Sequence, residues 1–205
     1  MIGVKVREDS PLERLHAALR TLAAAELPGW EPLATRAATR VRSAGELLFD
    51  AGETPGQLFW VDAGYVVLEV STAGGRTRTK SIVEGGELLG SVEVLRGEPS
   101  SYRARCLTRV VVTALPLAAV LALTRERLEW ARALSARLTE VAQQRERRER
   151  ELLLLTPEER WDALQRTRPA LVAAVAQVEL APLVGVTPVA LSRLKRRARE
   201  ARAAR

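Results

Sequence analysis

The chain of 205 residues holds a single cysteine, Cys106, and a single histidine, His16. A disulfide within the chain is therefore excluded, and an iron–sulfur cluster, which takes several thiolates, has no ligand set. A zinc site of Cys/His type and a Ser-His-Asp or Cys-His centre are poorly supported for the same reason. No catalytic residue, metal ligand or cofactor is nominated, and the chain reads as a non-enzyme. Carboxylates such as Glu84 and Glu87 stand scattered in turn contexts. A run of about 18 apolar residues is missing, so no bilayer span and no membrane partner are expected. The opening MIGVKVREDSPLERL carries charge from Lys5 onward and is no signal peptide. The expected compartment is the cytoplasm. Internal repeats and low-complexity linkers are also missing.

What is present is the composition of a globular chain: 47% hydrophobic and 28% charged residues in 22.5 kDa, enough for one large domain or two small ones. The net charge is +7, and its location matters more than its size. Arg193 to Arg205 holds seven Lys/Arg and one Glu, so the C-terminal tip carries nearly all of it. Such a cluster suits a polyanion, nucleic acid or an acidic surface, or else is a solvated tail.

Leu12, Leu15, Ala18, Leu19 and Leu22 repeat at helical spacing until Leu27-Pro28-Gly29, which predicts one or two short helices over 11–38. From Thr39 the texture changes to short alternating runs cut by glycines. QLFWVDAG and YVVLEV read as consecutive strands, and RCLTRVVVTALP as the last strand run, stopped by Pro116. This predicts a small β sandwich or barrel. A segment without Gly or Pro then predicts one long helix from Leu117 to Leu155. Ala131, Leu134, Leu138, Val141, Arg145, Arg148 and Leu152 form a 3,4-spaced seam along it, apolar mainly in its first half. The helix either packs on its own β domain or pairs with a second copy. A helix this long needs a partner along its length, which favours a homodimer through Ala131, Leu134, Leu138 and Val141. Thr156-Pro157-Glu158-Glu159 is a helix start with a capping box, and Pro169 starts another short helix.

VELAPLVGVTPVALSRLKRR, residues 178–197, meets the demands of a helix-turn-helix. Ala181 is the small residue at the crossing and Gly185 the turn. Leu180, Val184, Val186, Leu191 and Leu194 close a miniature core, and Thr187-Pro188 caps and starts the second helix. Pro182 belongs in a first turn, so the first helix is expected to begin no earlier than about Val178. Thr187, Val189, Ser192, Arg193 and Arg196 are placed to meet double-stranded DNA, with arginine available for guanine. Lys195, Arg197, Arg199 and Arg202 are assigned to phosphates. The bland alternative is a helical hairpin with a solvated face.

This order of parts resembles the CRP/FNR superfamily of bacterial transcription regulators over nearly the whole chain. The resemblance is carried by AGELLFDAGETPGQLFWVDAGYVVLEV, by EGGELLGSVEVLRGEPSSYRA and by VELAPLVGVTPVALSRLKRR. It implies an α+β chain: an N-terminal antiparallel β-roll of the cyclic-nucleotide-binding type with N-terminal helices over 1–116, a long dimerisation helix over 117–155, and an all-α helix-turn-helix domain with a basic tail over 156–205. It also implies two recognition helices in successive major grooves of a near-palindrome, and RNA polymerase as a further partner. Nucleotide-binding members carry a cassette reading F-G-E and then R-[ST]-A, whose Glu holds the ribose and whose Arg neutralises the cyclic phosphate. Here the matching residues are Leu89-Gly90-Ser91 and Ser100-Ser101-Tyr102, so both charged groups are serines. A phosphate without its arginine loses charge-assisted bonding, so tight cyclic-AMP binding in the usual pose is not expected. The cassette reads first as core and turn. Leu89, Gly90, Ser91, Ser100 and Ser101 remain the candidate pocket for an unknown effector. Arg103 and Arg105, on one face of a strand, are candidate substitutes for the lost arginine. Members reading TGTGA-like half-sites carry R-E after the cap, where this chain has Pro188-Val189, while Arg193 matches the later base-contacting arginine. The stretch after Arg196 is too short for the hairpin wing of many members.

The main reading is a dimeric, sequence-specific transcription regulator. A sensor whose β domain binds an effector, and a protein that binds nucleic acid without sequence preference, are the competing classes.

Overall fold

The computed structural model describes residues 9–72, 74–75 and 77–203, without the side chains of 198–203. The described residues open with α1 (Pro11–Ala23) and α2 (Trp30–Ala34). Ser10 starts α1 through a capping box: its Oγ accepts from the Glu13 N–H at 3.3 Å, and the Glu13 carboxylate accepts from the Ser10 N–H at 2.6 Å.

The strands and one short helix follow in the order β1 (Ala38–Arg42), β2 (Leu47–Phe49), β3 (Gln57–Ala63), β4 (Tyr65–Ser71), β5 (Thr77–Glu84), β6 (Glu87–Leu89), α3 (Val92–Leu95), β7 (Arg103–Cys106) and β8 (Val110–Pro116). They form two four-stranded antiparallel sheets, ordered β1-β8-β3-β6 and β2-β7-β4-β5. Side-chain alternation decides what each face meets. On β3, Phe59 and Val61 enter the core between the sheets with Phe49, Val66, Leu68 and Cys106, while Leu58 and Trp60 turn to the helices. The β3–β4 turn requires Gly64: its φ is +94°, and a Cβ there would lie 2.4 Å from the Arg109 carbonyl oxygen. The run RCLTRVVVTALP is not one strand. It divides into β7 and β8 in opposite sheets, with the Leu107 N–H donating to the Tyr65 carbonyl at the crossing.

The predicted helix from Leu117 to Leu155 is two helices, α4 (Leu117–Glu126) and α5 (Leu128–Leu154). Arg127 between them is extended, φ −130° and ψ 122°. Val120 of α4 shares one core with Trp130 and Ala133 of α5 and with residues of α1 and α2, and the Trp130 indole N–H donates to the Pro28 carbonyl at 2.8 Å.

The chain ends in α6 (Pro157–Thr167), α7 (Pro169–Ala174), α8 (Gln177–Val184) and α9 (Pro188–Ala203). Thr156 and Glu159 form the expected capping box. α8 begins at Gln177, so Pro182 lies in its second turn rather than its first. The Arg148 guanidinium braces that end of α8, donating to the Pro182 and Leu183 carbonyls at 3.0 and 2.9 Å. Trp161, Leu171, Leu180, Leu191 and Leu194 share one core with Val67 and Ile82, so these helices lie against the outer face of the β4–β5 sheet. No helix among the described residues is long and apolar enough to cross a membrane.

Candidate functional site

Three local features fix the geometry of α8 and α9. Gly185 closes α8 at φ +77°, and a Cβ there would meet Leu152 Cδ2 at 2.9 Å. The Thr187 Oγ1 accepts from the Ala190 N–H at 3.2 Å and starts α9. Leu180, Ala181, Val184, Leu191 and Leu194 are buried between the two helices and α6, with Val186 partly so. Burial of Leu191 and Leu194 turns Val189, Ser192, Arg193, Arg196 and Arg197 to solvent; Val189 is 60% exposed. Lys195 is half-buried, its ammonium 5.5 Å from the centre of the Trp161 ring. The side chains of Arg199 and Arg202 lie outside the described residues.

The seam on α5 divides in two. Ala131, Leu134 and Leu138 line a shallow groove with Ser135, Thr139 and Ala142, and Leu138 is 38% exposed. Beyond Val141 the seam turns to the chain's own C-terminal helices: Arg148 holds α8, and Leu152 abuts Gly185. Arg148 and Leu152 therefore face α8 and not an open seam.

A cavity of about 670 Å³ opens where the edge strands β5 and β6 face α5, with α6 and Leu183 at its far side. Of the five predicted pocket residues, Leu89 and Gly90 line it; Ser91, Ser100 and Ser101 do not. Ser91 Oγ and Ser101 Oγ donate to opposite oxygens of Glu93, the second at 2.9 Å, and Ser100 Oγ donates to the Tyr102 carbonyl at 2.8 Å. The Ser91 hydroxyl and then backbone hydrogen bonding pull the Glu93 carboxyl down to about 2, with Ser101 and Lys80 adding smaller effects. A carboxylate thus already occupies two of the three cassette hydroxyls, and a backbone carbonyl the third. Arg103 and Arg105 do not reach the cavity. Ala104 and Cys106 take the inner face of β7, and both arginines go to Glu69 on the outer face, at 2.9 and 2.7 Å. Arg105 also pairs with Glu179 of α8 at 2.9 Å. Burial alone would raise the Glu69 pKa; hydrogen bonds from Arg105 and Arg103 carry it below the ordinary value.

Sequence reasoning missed Lys80, Tyr102 and Trp130 as cavity residues. A register shift opposite Leu68 and Glu69 leaves Lys80 out of the β4–β5 pairing, so strand alternation does not say which way its side chain turns, and nothing local says that α5 lines the cavity.

Residues 39–127 match the family described as cyclic nucleotide-binding domain. The fold is similar to that of the catabolite activator protein of Thermus thermophilus, with 25% identity, a TM-score of 0.50, and 93% of this chain and 87% of that one covered. It is similar to FixK2 of Bradyrhizobium japonicum, with 17% identity, a TM-score of 0.69, and coverage of 80% and 85%. It is also similar to CLP, a c-di-GMP-responsive global regulator of Xanthomonas campestris, with 18% identity, a TM-score of 0.62, and coverage of 93% and 91%. No curated protein sequence matches the chain.

Proposed function

We propose, for a chain that has the fold of CRP/FNR-type regulators and a cyclic nucleotide-binding domain over residues 39–127, that it is a cytoplasmic, non-enzymatic transcription regulator. It binds double-stranded DNA as a homodimer and governs access of RNA polymerase. The observation that carries this reading is the α9 surface: a helix fixed by Gly185 and Thr187, buried on Leu191 and Leu194, and presenting Val189, Ser192, Arg193 and Arg196 outward. That is the form of a recognition helix in a helix-turn-helix, with Arg193 the reader of guanine and Arg197 a phosphate contact. Lys195, held by Trp161, contributes its charge from the flank. The open groove of Ala131, Leu134 and Leu138 supports pairing of α5 with a second copy, with Val141, on the cavity side of the helix, at the end of the seam.

The test is selection of bound duplexes from a random pool at near-physiological salt, with and without cyclic AMP. The expected result is a palindrome with half-sites one helical turn apart, unchanged by the nucleotide. Arg193→Ala is expected to lose about 1–3 kcal/mol at one base position in each half-site. Binding without a motif, falling steeply with salt, would replace this reading by non-specific nucleic-acid binding. The cavity supports the alternative reading, a sensor whose β domain binds an effector that sets DNA affinity.

A further inference from the structure

The cavity beside α5 is within the range of small-molecule sites, about 300–1,000 Å³. Its wall is aliphatic and aromatic: Leu68, Leu89 and Leu115 from the strands face Trp130, Leu134 and Val141 of α5. Many cations border it, and most have partners in the chain. Arg137 donates to the Leu88 carbonyl at 2.8 Å and Arg148 to α8; Arg160 donates to the Val184 carbonyl at 2.7 Å and Arg168 to Glu84. Lys80 of β5 and Arg145 of α5 differ. Both line the cavity, as does Arg147, and among the described residues none of the three makes an ion pair with a carboxylate. Burial, and then the charge of Arg145 on the same cavity wall, lower the Lys80 pKa. The Lys80 ammonium lies 3.9 Å from the Tyr102 ring centre. Glu93 is the carboxylate whose charge reaches it, and both Glu93 oxygens are engaged by serines. Lys80 is half-buried and Arg145 is exposed at the mouth, so an anion entering the cavity would meet charge-assisted donors at its edge.

We propose that this cavity binds a carboxylic acid with an unbranched aliphatic body of medium length, its carboxylate between Lys80 and Arg145 and its chain along Leu68, Leu89, Leu134 and Val141. A nucleotide fits the lining poorly. Its base and ribose need several donors and acceptors, whereas the uncharged polar side chains here are Ser81, Thr124, Tyr102, Gln144 and Thr167, spread around a wall of leucine and valine. The proposal deepens the effector reading above and rests on it for its consequence. Leu134 and Val141 belong to the proposed dimer seam, and Leu164 and Leu183 to the C-terminal helices, so an occupant touches both. Differential affinity for two arrangements of those elements would set DNA binding.

The test is calorimetric titration of the full chain with octanoate, decanoate and dodecanoate, and with decanol as the uncharged control. Affinity is expected to rise about fourfold per methylene, from ~0.8 kcal/mol per buried CH₂. Decanoate is expected to bind about tenfold or more tightly than decanol. That preference is expected to vanish in Lys80→Met/Arg145→Met, whose retained decanol binding shows that it still folds. Failure of any acid to bind, equal binding to the double variant, or uptake of cyclic AMP in place of the acids would overturn the proposal. So would closure of the cavity by a second copy's α5, seen as protection of Leu134 and Val141 without acid uptake. Duplex selection on the same sample separates the two readings. A DNA motif without acid binding ends this proposal alone, and acid binding without a motif ends the regulator reading alone.

Discussion

His16 lies flat on Trp30, ring centres 4.3 Å apart and 3° from parallel, with its Nε2 buried and without a hydrogen-bond partner. Burial, and secondly the Arg20 charge, push its pKa below 6.5 against the weaker pull of Glu26 and Glu31. The fold therefore prefers the neutral ring, while the unfolded chain takes up its proton near 6.5. Stability is lost as pH falls through that value and continues to fall until the folded ring is protonated too. Glu69 acts in the same direction further down. Its folded pKa is depressed, so its contribution is present above 4.5 and is lost as pH drops through the folded value. The two separate by range. His16→Phe keeps the stack and is expected to flatten the dependence of the urea midpoint between about pH 7.5 and pH 5.5, leaving the acid limb below it intact. Identical slopes for wild type and variant in that range would show that His16 carries none of the effect.

At the scale of elements, Gly185 is the most exacting position of the C-terminal unit. Any L-residue there must adopt φ near +77° beside Leu152. The leucine is the far end of a flexible side chain and can move, so the backbone sets the cost. Gly185→Ala is expected to destabilise α8 and α9 by about 1–3 kcal/mol. An unchanged thermal midpoint in helical circular dichroism would contradict the strained turn. Such local grammar was readable in the sequence. Gly185, Thr187 and the Thr156/Glu159 box stand where φ > 0 or an N-cap is required, and alternation marked QLFWVDAG and YVVLEV as strands. The Ser10/Glu13 box has the same signature and was open to the same reading. The break at Arg127 was not readable. No glycine or proline announces it, and α5 starts beside a contact that spacing cannot announce, the Trp130 indole on the Pro28 carbonyl, 102 residues away in sequence. Pro182 misled in the opposite way, since a single lost ladder bond is tolerated in the second turn of a short helix held from outside by Arg148.

The arrangement of the whole molecule depends on pairs that sequence spacing cannot announce. Arg105 and Glu179 are 74 residues apart, and Arg168 and Glu84 are 84 apart; together with Val67 and Ile82 they hold α6–α9 against the outer face of the β4–β5 sheet. Sequence reasoning offered Arg103 and Arg105 to the pocket because strand alternation gives a common face without saying which one. The β-roll resolves the choice by burying Ala104 and Cys106. The two partners of Arg105 have separable roles. Glu69 is 5% exposed and belongs to the β-roll, whereas Glu179 is more open and belongs to α8. Arg105→Ala leaves Glu69 with Arg103 alone, and loss of one partner of a buried pair costs up to about 3–5 kcal/mol, so the β-roll itself is expected to lose stability. Glu179→Gln removes the charge contact between the two regions and leaves the Glu69 pairs whole. Its cost is expected at about 1 kcal/mol or less, confined to the docking of the C-terminal helices. Amide hydrogen exchange distinguishes the two. Glu179→Gln should speed exchange in α8 and leave β4 at the wild-type rate, while Arg105→Ala should speed both. Faster exchange in β4 after Glu179→Gln would mean that the helices and the roll open as one unit, and that the contact is part of the core rather than a docking contact between two separable regions.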